Sequence, residues 1–157
     1  MFPAFFTTGV PEKERKSISI CRNAGQNMKV KEINHITINM KDIEKSLDFY
    51  GRVMGLEKLE EVNMGDHYIR YFALPGGAKL ELLEYFYETK AAQYTEVDAG
   101  VYRHLALEVD DIHAAAEELK KEGLKILVGP DKAEKLGCYF MLFEDPNGVQ
   151  LEFTQKY

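Results

Sequence analysis

The sequence predicts an α+β fold of two tandem βαβββ modules, whose curved mixed sheets surround a shared cleft. Three observations predict it: an internal repeat, strand-like alternation at matched places, and helix and turn signals recurring in one order. The repeat is the strongest of these. His35-Ile-Thr-Ile-Asn-Met-Lys-Asp-Ile43 aligns without a gap on His104-Leu-Ala-Leu-Glu-Val-Asp-Asp-Ile112, at an offset of 69. Pro75-Gly-Gly-Ala-Lys-Leu-Glu-Leu82 aligns on Pro146-Asn-Gly-Val-Gln-Leu-Glu-Phe153, at an offset of 71. Two ungapped matches in the same order mark a tandem duplication.

The elements follow in order. Residues 1–27 carry Pro3 and Pro11, show no sustained periodicity and end in the polar run 22–27. They read as an arm outside the domain, either an upstream extension or an oligomer-clasping segment. A single domain then spans 28–157, with module 1 over about 30–90 and module 2 over about 100–155. The segments beginning at His35 and His104 alternate apolar and polar, the period of a half-buried strand. Asp42 and Asp111 stand at helix N-cap positions. Ile43, Leu47, Tyr50 and Met54 recur at helical spacing before Gly55, as Ile112, Ala115, Ala116 and Leu119 do before Gly123. Strand-like runs follow over Leu56–Val62, His67–Leu74 and Ala78–Tyr87, the last after the Pro75-Gly-Gly turn. Their counterparts are Lys125–Val128, Gly137–Glu144 and, after Asp145-Pro-Asn-Gly148, Val149–Thr154. Residues 88–101 connect the modules.

Composition narrows the function. The 157 residues are 45% hydrophobic and 29% charged, enough to bury a core. Net charge is −6, with 20 basic against 26 acidic residues. Residues 1–28 carry four basic and two acidic side chains, which leaves −8 on the remaining 129. That balance argues against nucleic acid and against an anionic membrane surface, both of which select a basic face. No run approaches the ~18 apolar residues of a membrane span. The opening segment lacks the charged and long apolar regions of a signal peptide. Cys21 and Cys138 lie in no metal or redox spacing and read as reduced thiols of a cytoplasmic protein.

Alternation then sorts the polar residues. Ile36, Ile38 and Met40 share one strand face, and His35, Thr37 and Asn39 share the other. Leu105, Leu107 and Val109 oppose His104, Ala106 and Glu108 in the repeat. In the last strand of each module, Leu80 and Leu82 oppose Lys79, Glu81 and Leu83, while Leu151 and Phe153 oppose Gln150, Glu152 and Thr154. With the apolar faces covered by helices, one His and one Glu per module occupy the face left over. If the two sheets curve around one concave surface, His35, Glu81, His104 and Glu152 converge. Two imidazoles and two carboxylates without a thiolate suit a divalent transition metal with room for water or substrate. Relic descent from one ancestor is the competing account of the matched pairs. His113, in a first helical turn, and His67, which begins a strand, are assigned no role.

These residues resemble the vicinal oxygen chelate superfamily, and within it the glyoxalase I group. The likeness covers about 30–155. It rests on His35 with Asp42 and Ser46-Leu-Asp-Phe-Tyr50, on Arg103-His-Leu-Ala-Leu-Glu-Val-Asp-Asp111, and on Asp145-Pro-Asn-Gly-Val-Gln-Leu-Glu152. The resemblance implies the paired βαβββ fold and a single divalent ion held by His35, Glu81, His104 and Glu152. Ni or Zn comes first, with Co, Mn or Fe as alternatives. It implies proton transfer through a metal-stabilised enediolate, with Glu152 as the first choice of catalytic base and Glu81 the second. The substrate would be a small α-oxo compound or a thiohemiacetal; for glyoxalase I itself it is the hemithioacetal of methylglyoxal and glutathione, which a lactoylglutathione lyase converts. By analogy with relatives the protein would be a homodimer.

One departure bears on the substrate. Asn39 and Tyr85 stand where bacterial glyoxalase I commonly has an Arg and an Asn that serve glutathione. The expected cavity lining, Thr37, Asn39, Leu83, Ala106, Glu108, Gln150 and Thr154, offers no cation; Lys79 and Arg70 are candidates whose face the spacing leaves open. A different thiol, or none, is therefore a serious alternative. Methylmalonyl-CoA epimerase-like and dioxygenase-like chemistry on the same residues, and sequestration of a small molecule without turnover, are the competing functions.

Overall fold

The computed structural model describes residues 30–90 and 99–157, and a compact unit spans Glu32–Tyr157. The expected arm over 1–27, Cys21 and most of the connector lie outside the described residues. Module 1 runs β1 (His35–Asn39), α1 (Ile43–Asp48), β2 (Lys58–Asn63), β3 (His67–Ala73) and β4 (Lys79–Tyr85). Module 2 runs β5 (Leu105–Glu108), α2 (Ile112–Lys121), β6 (Ile126–Ala133), β7 (Cys138–Glu144) and β8 (Gln150–Lys156). Each module is the βαβββ unit that the repeat predicts.

The two sheets are ordered β1-β4-β3-β2 and β5-β8-β7-β6. The first strand of each module pairs parallel with its last, and the remaining pairs are antiparallel. A parallel pair needs a long crossover. Here the helix and two further strands supply it, and β1 and β5 are left at sheet edges.

Both predicted caps form. The Asp42 carboxylate accepts from the Lys45 N–H at 3.1 Å, and that of Asp111 from the His113 and Ala114 N–H groups at 3.0 Å each. The first helix departs from its expected regular course to Met54. α1 ends at Asp48 and continues as a wider turn over Phe49–Val53, which the Met54 N–H closes on the Phe49 carbonyl at 2.8 Å. The extra residue in the turn puts the adjacent Phe49 and Tyr50 both into the core, each 2% exposed. β6 also runs past its expected end at Val128. It passes through Gly129, whose φ of +85° and close approach to the Phe140 carbonyl oxygen admit no side chain. A bulge in the β6–β7 register absorbs the break.

One apolar core serves both modules. Leu80, Leu82 and Phe72 of module 1 and Ile112, Met141 and Phe143 of module 2 belong to the same buried cluster. A polar network crosses it. The Tyr50 hydroxyl donates to Asp145 Oδ2 at 2.7 Å, and Asn147 Nδ2 donates to the same oxygen at 2.8 Å. Asp145 Oδ1 accepts from the backbone N–H groups of Asn147 and Val149 at 2.8 Å each. Asn147 Oδ1 accepts from the Lys41 N–H at 2.8 Å, and its amide bonds the Ser46 hydroxyl. Burial first, then the charge of Asp145 and the hydrogen bond to it, push the Tyr50 hydroxyl far above its ordinary range and keep it a donor.

Tyr50→Phe keeps the ring and removes one donor from buried Asp145, so it is expected to destabilise the fold by about 1–3 kcal/mol. Asn147→Ala strips partners from Lys41, Ser46 and Asp145 together and is expected to cost more. Urea unfolding of both variants measures the two losses.

Candidate metal centre

Strand register carries the candidate residues to one face of each sheet. In module 1, Thr37 lies opposite Glu81 and His35 opposite Lys79 on the β1–β4 pair, and Tyr71 lies opposite Glu81 on the β3–β4 pair. In module 2, Ala106 and Leu142 are the residues opposite Glu152. Register partners share a face. Thr37, Asn39, Leu83, Ala106, Glu108 and Thr154 therefore sit on the faces that alternation assigns them.

The structure brings the four candidate ligands together as two pairs. His35 Nε2 lies 3.8 Å from Glu81 Oε2, and His104 Nε2 lies 2.6 Å from Glu152 Oε2. Among the described residues, no group of three or more His, Cys, Asp or Glu is placed to hold one ion. The convergence of all four expected from the pseudo-twofold is thus not made within one chain. Each module presents one His–Glu pair.

The pairs fit a divalent ion in their chemistry. Each aims an imidazole nitrogen at a carboxylate oxygen on a face that the core leaves free, with nitrogen and oxygen donors alone. Glu81 is buried at 9% exposure, yet it is supplied with donors. The Thr37 hydroxyl donates to its Oε2 at 2.6 Å and the Tyr71 hydroxyl to its Oε1 at 2.7 Å. Burial works to raise the Glu81 carboxyl, but these two bonds, joined by charge on His35 and His67, outweigh it and hold the group below its ordinary value.

The two basic residues separate clearly. Lys79 is on the site face of β4, pairs with Glu60 and lies 4.7 Å over the Tyr71 ring. Arg70 lies opposite Leu82 on the core side, held by Glu61 and Glu84 and stacked on Tyr68. Arg70 is therefore removed as a cation for substrate.

A cavity of about 590 Å³ opens between the modules on their apolar sides, bordered by Ile36, Met54, Leu74, Leu105, Leu119 and Phe153 among others. Of the seven expected residues only Ala106 and Glu108 border it, and none of the four candidate ligands does. β5 is an edge strand, so residues of both its faces reach the gap. Thr37, Asn39, Leu83, Gln150 and Thr154 lie on the sheet faces that alternation assigns them, apart from this cavity.

Sequence reasoning missed Asn34, Tyr71 and His67. Asn34 Oδ1 lies 2.7 Å from His35 Nδ1. His67 stands on the site face opposite Tyr85, its ring 5.1 Å from the tyrosine ring. The signal was available. Antiparallel pairing across the Pro75-Gly-Gly turn fixes the parity of β3 once that of β4 is known.

Comparison with known proteins agrees with this architecture. The model of the glyoxalase/bleomycin resistance protein/dioxygenase superfamily matches residues 32–153. A lactoylglutathione lyase of Neisseria meningitidis serogroup A is 32% identical over 127 residues, covering 78% of this chain and 88% of the relative. A mitochondrial methylmalonyl-CoA epimerase of Dictyostelium discoideum is 30% identical over 133 residues, covering 80% and 78%. The crystal structure of a glyoxalase/dioxygenase from Nostoc punctiforme superposes with a TM-score of 0.67 at 24% identity, covering 81% of this chain and 92% of that one. The duplicated βαβββ architecture and the span of the matched model together place the chain in the glyoxalase/bleomycin resistance protein/dioxygenase superfamily.

Proposed function

We propose that the protein is a metal-dependent, glyoxalase I-like enzyme that moves a proton between adjacent carbons of a small α-oxo or thiohemiacetal substrate. The observation that carries this reading is the His–Glu pair repeated at equivalent positions, His35 with Glu81 and His104 with Glu152. The lactoylglutathione lyase relatives support it. His35, Glu81, His104 and Glu152 would hold one divalent ion, Ni or Zn first. When bound, the ion supplies Lewis acidity that makes a proton on carbon beside a carbonyl removable.

Glu152 is the proposed base. It takes the proton from one carbon and returns it to the neighbouring carbon, so the reaction consumes no net proton. Glu81 is the poorer candidate, because Thr37 and Tyr71 already occupy its oxygens and favour its ionised form. Each chain carries two half-sets of donors, so a homodimer would complete the four-ligand shell between the module 1 pair of one copy and the module 2 pair of the other. A cytoplasmic location belongs to the same proposal.

An epimerase acting on an acyl thioester is the second reading. Relatives named methylmalonyl-CoA epimerase match at similar identity, and Asn39 and Tyr85 stand where an Arg and an Asn serving glutathione are expected. Both readings begin by removing a proton from a carbon beside a carbonyl; the epimerase would return it to the opposite face of the same carbon, the glyoxalase-type enzyme to the neighbouring carbon.

Purified protein is expected to bind a divalent metal and to turn over methylglyoxal with some thiol, or to epimerise an acyl thioester. Absence of metal affinity would end the proposal. Glu152→Gln is expected to lose roughly 10²–10⁴-fold in turnover; full activity in that variant removes Glu152 as the base. Mixing a His35→Ala/Glu81→Ala chain with a His104→Ala/Glu152→Ala chain is expected to restore activity absent from either alone. A shell built within one chain would leave the mixture inactive.

A further inference from the structure

The two His–Glu pairs match in residue type but not in what surrounds them. Around the module 1 pair, three neighbouring side chains hold the ligands in place. Asn34 Oδ1 lies 2.7 Å from His35 Nδ1, Thr37 bonds Glu81 Oε2 at 2.6 Å, and Tyr71 bonds Glu81 Oε1 at 2.7 Å. The equivalent positions in module 2 are Arg103, Ala106 and Leu142, by the repeat offsets and, for the last two, by strand register. Ala106 and Leu142 have no hydroxyl to donate. A guanidinium has no acceptor, so Arg103 cannot receive the ring N–H that Asn34 can receive. Consistently, His104 Nδ1 is buried without a hydrogen-bond partner among the described residues.

We propose that Asn34, Thr37 and Tyr71 are positioning residues that make the module 1 pair the tight-binding half of the metal site, while the module 2 pair binds weakly. The claim rests on the metal-dependent reading above and adds an unequal division of the shell. Residues that orient metal ligands from behind act through two effects. They fix the tautomer and rotamer of the ligand before the ion arrives, and they remove the ordering cost from the binding step. Module 1 has a bond behind its imidazole and one on each carboxylate oxygen. In module 2 the imidazole and the carboxylate contact each other, and that contact must open for an ion to enter between them.

The test measures metal affinity of the full chain, by competition of Ni²⁺ or Zn²⁺ with a chromophoric chelator. Thr37→Val and Tyr71→Phe, which preserve shape and remove one hydroxyl each, are expected to weaken binding roughly tenfold apiece. Thr37→Ser keeps the hydroxyl and is expected to retain wild-type affinity. Glu81→Gln is expected to weaken binding more than Glu152→Gln. Wild-type affinity in the Thr37→Val/Tyr71→Phe double variant overturns the inference, as does Thr37→Ser binding as weakly as Thr37→Val, which would mark a packing effect. Equal losses in Glu81→Gln and Glu152→Gln also overturn it. A wild-type chain that binds neither ion overturns the functional proposal itself, so the two failures are told apart.

Discussion

The fold turns on one buried carboxylate. Asp145, 4% exposed, is the point at which module 2 grips module 1. Its Oδ1 accepts two backbone N–H groups of its own turn, and its Oδ2 accepts Tyr50 and Asn147. A buried carboxylate is tolerated only when its oxygens are filled with donors. Here the donors come from both modules. That requirement explains the wider turn after α1, since Tyr50 has to point through the core to reach the anion while Phe49 packs 6.5 Å from Phe143. It also explains why the Asp145-Pro-Asn-Gly148 turn is more than a turn. Asn147 extends the network to Ser46 and to the backbone of Lys41, immediately after β1. The grip therefore ends close to the strand that carries His35.

Sheet parity carries the rest of the way to the site. A β1–β4 parallel pair sets His35 and Glu81 on one face, and the β5–β8 pair does the same for Ala106 and Glu152. The opposite faces supply the shared core, with Leu80, Leu82, Leu151 and Phe153 all buried. A one-residue slip in either parallel pair would bury a carboxylate among these residues and expose the core face. The cost of that error protects the register. The same apolar packing that stabilises the fold thereby fixes which side chains remain outside it.

Much of this was legible in the sequence because duplication and alternation are local patterns. The order of elements, the two caps, the strand faces and the pairing of one His with one Glu per module all follow from spacing. Three features did not. The placement of Tyr71 and His67 depends on pairing between β3 and β4, which a reading strand by strand does not impose. The burial of Asp145 and Asn147 depends on contacts 95 and 101 residues apart in sequence with Tyr50 and Ser46, where spacing suggested only a turn. Whether the two pairs meet depends on how the modules pack, and no periodicity reports that. Lys79 and Arg70 illustrate the boundary: alternation within one strand sets Lys79 beside Glu81, and only the hairpin register assigns Arg70 to the core side.

Duplication fixes positions, and the surroundings then assign roles. Two equal half-shells would make two equivalent carboxylates, and a carboxylate held by two hydroxyls is a poor proton acceptor because each bond favours its ionised form. A carboxylate without hydroxyl donors is less firmly held in one orientation, so an ion that binds it must also bear the cost of ordering it. In this chain, the hydroxyls of Thr37 and Tyr71 stand around Glu81, and Ala106 and Leu142 stand around Glu152. Two side chains per module thus give the matched carboxylates different surroundings, without altering the residues that the repeat preserves.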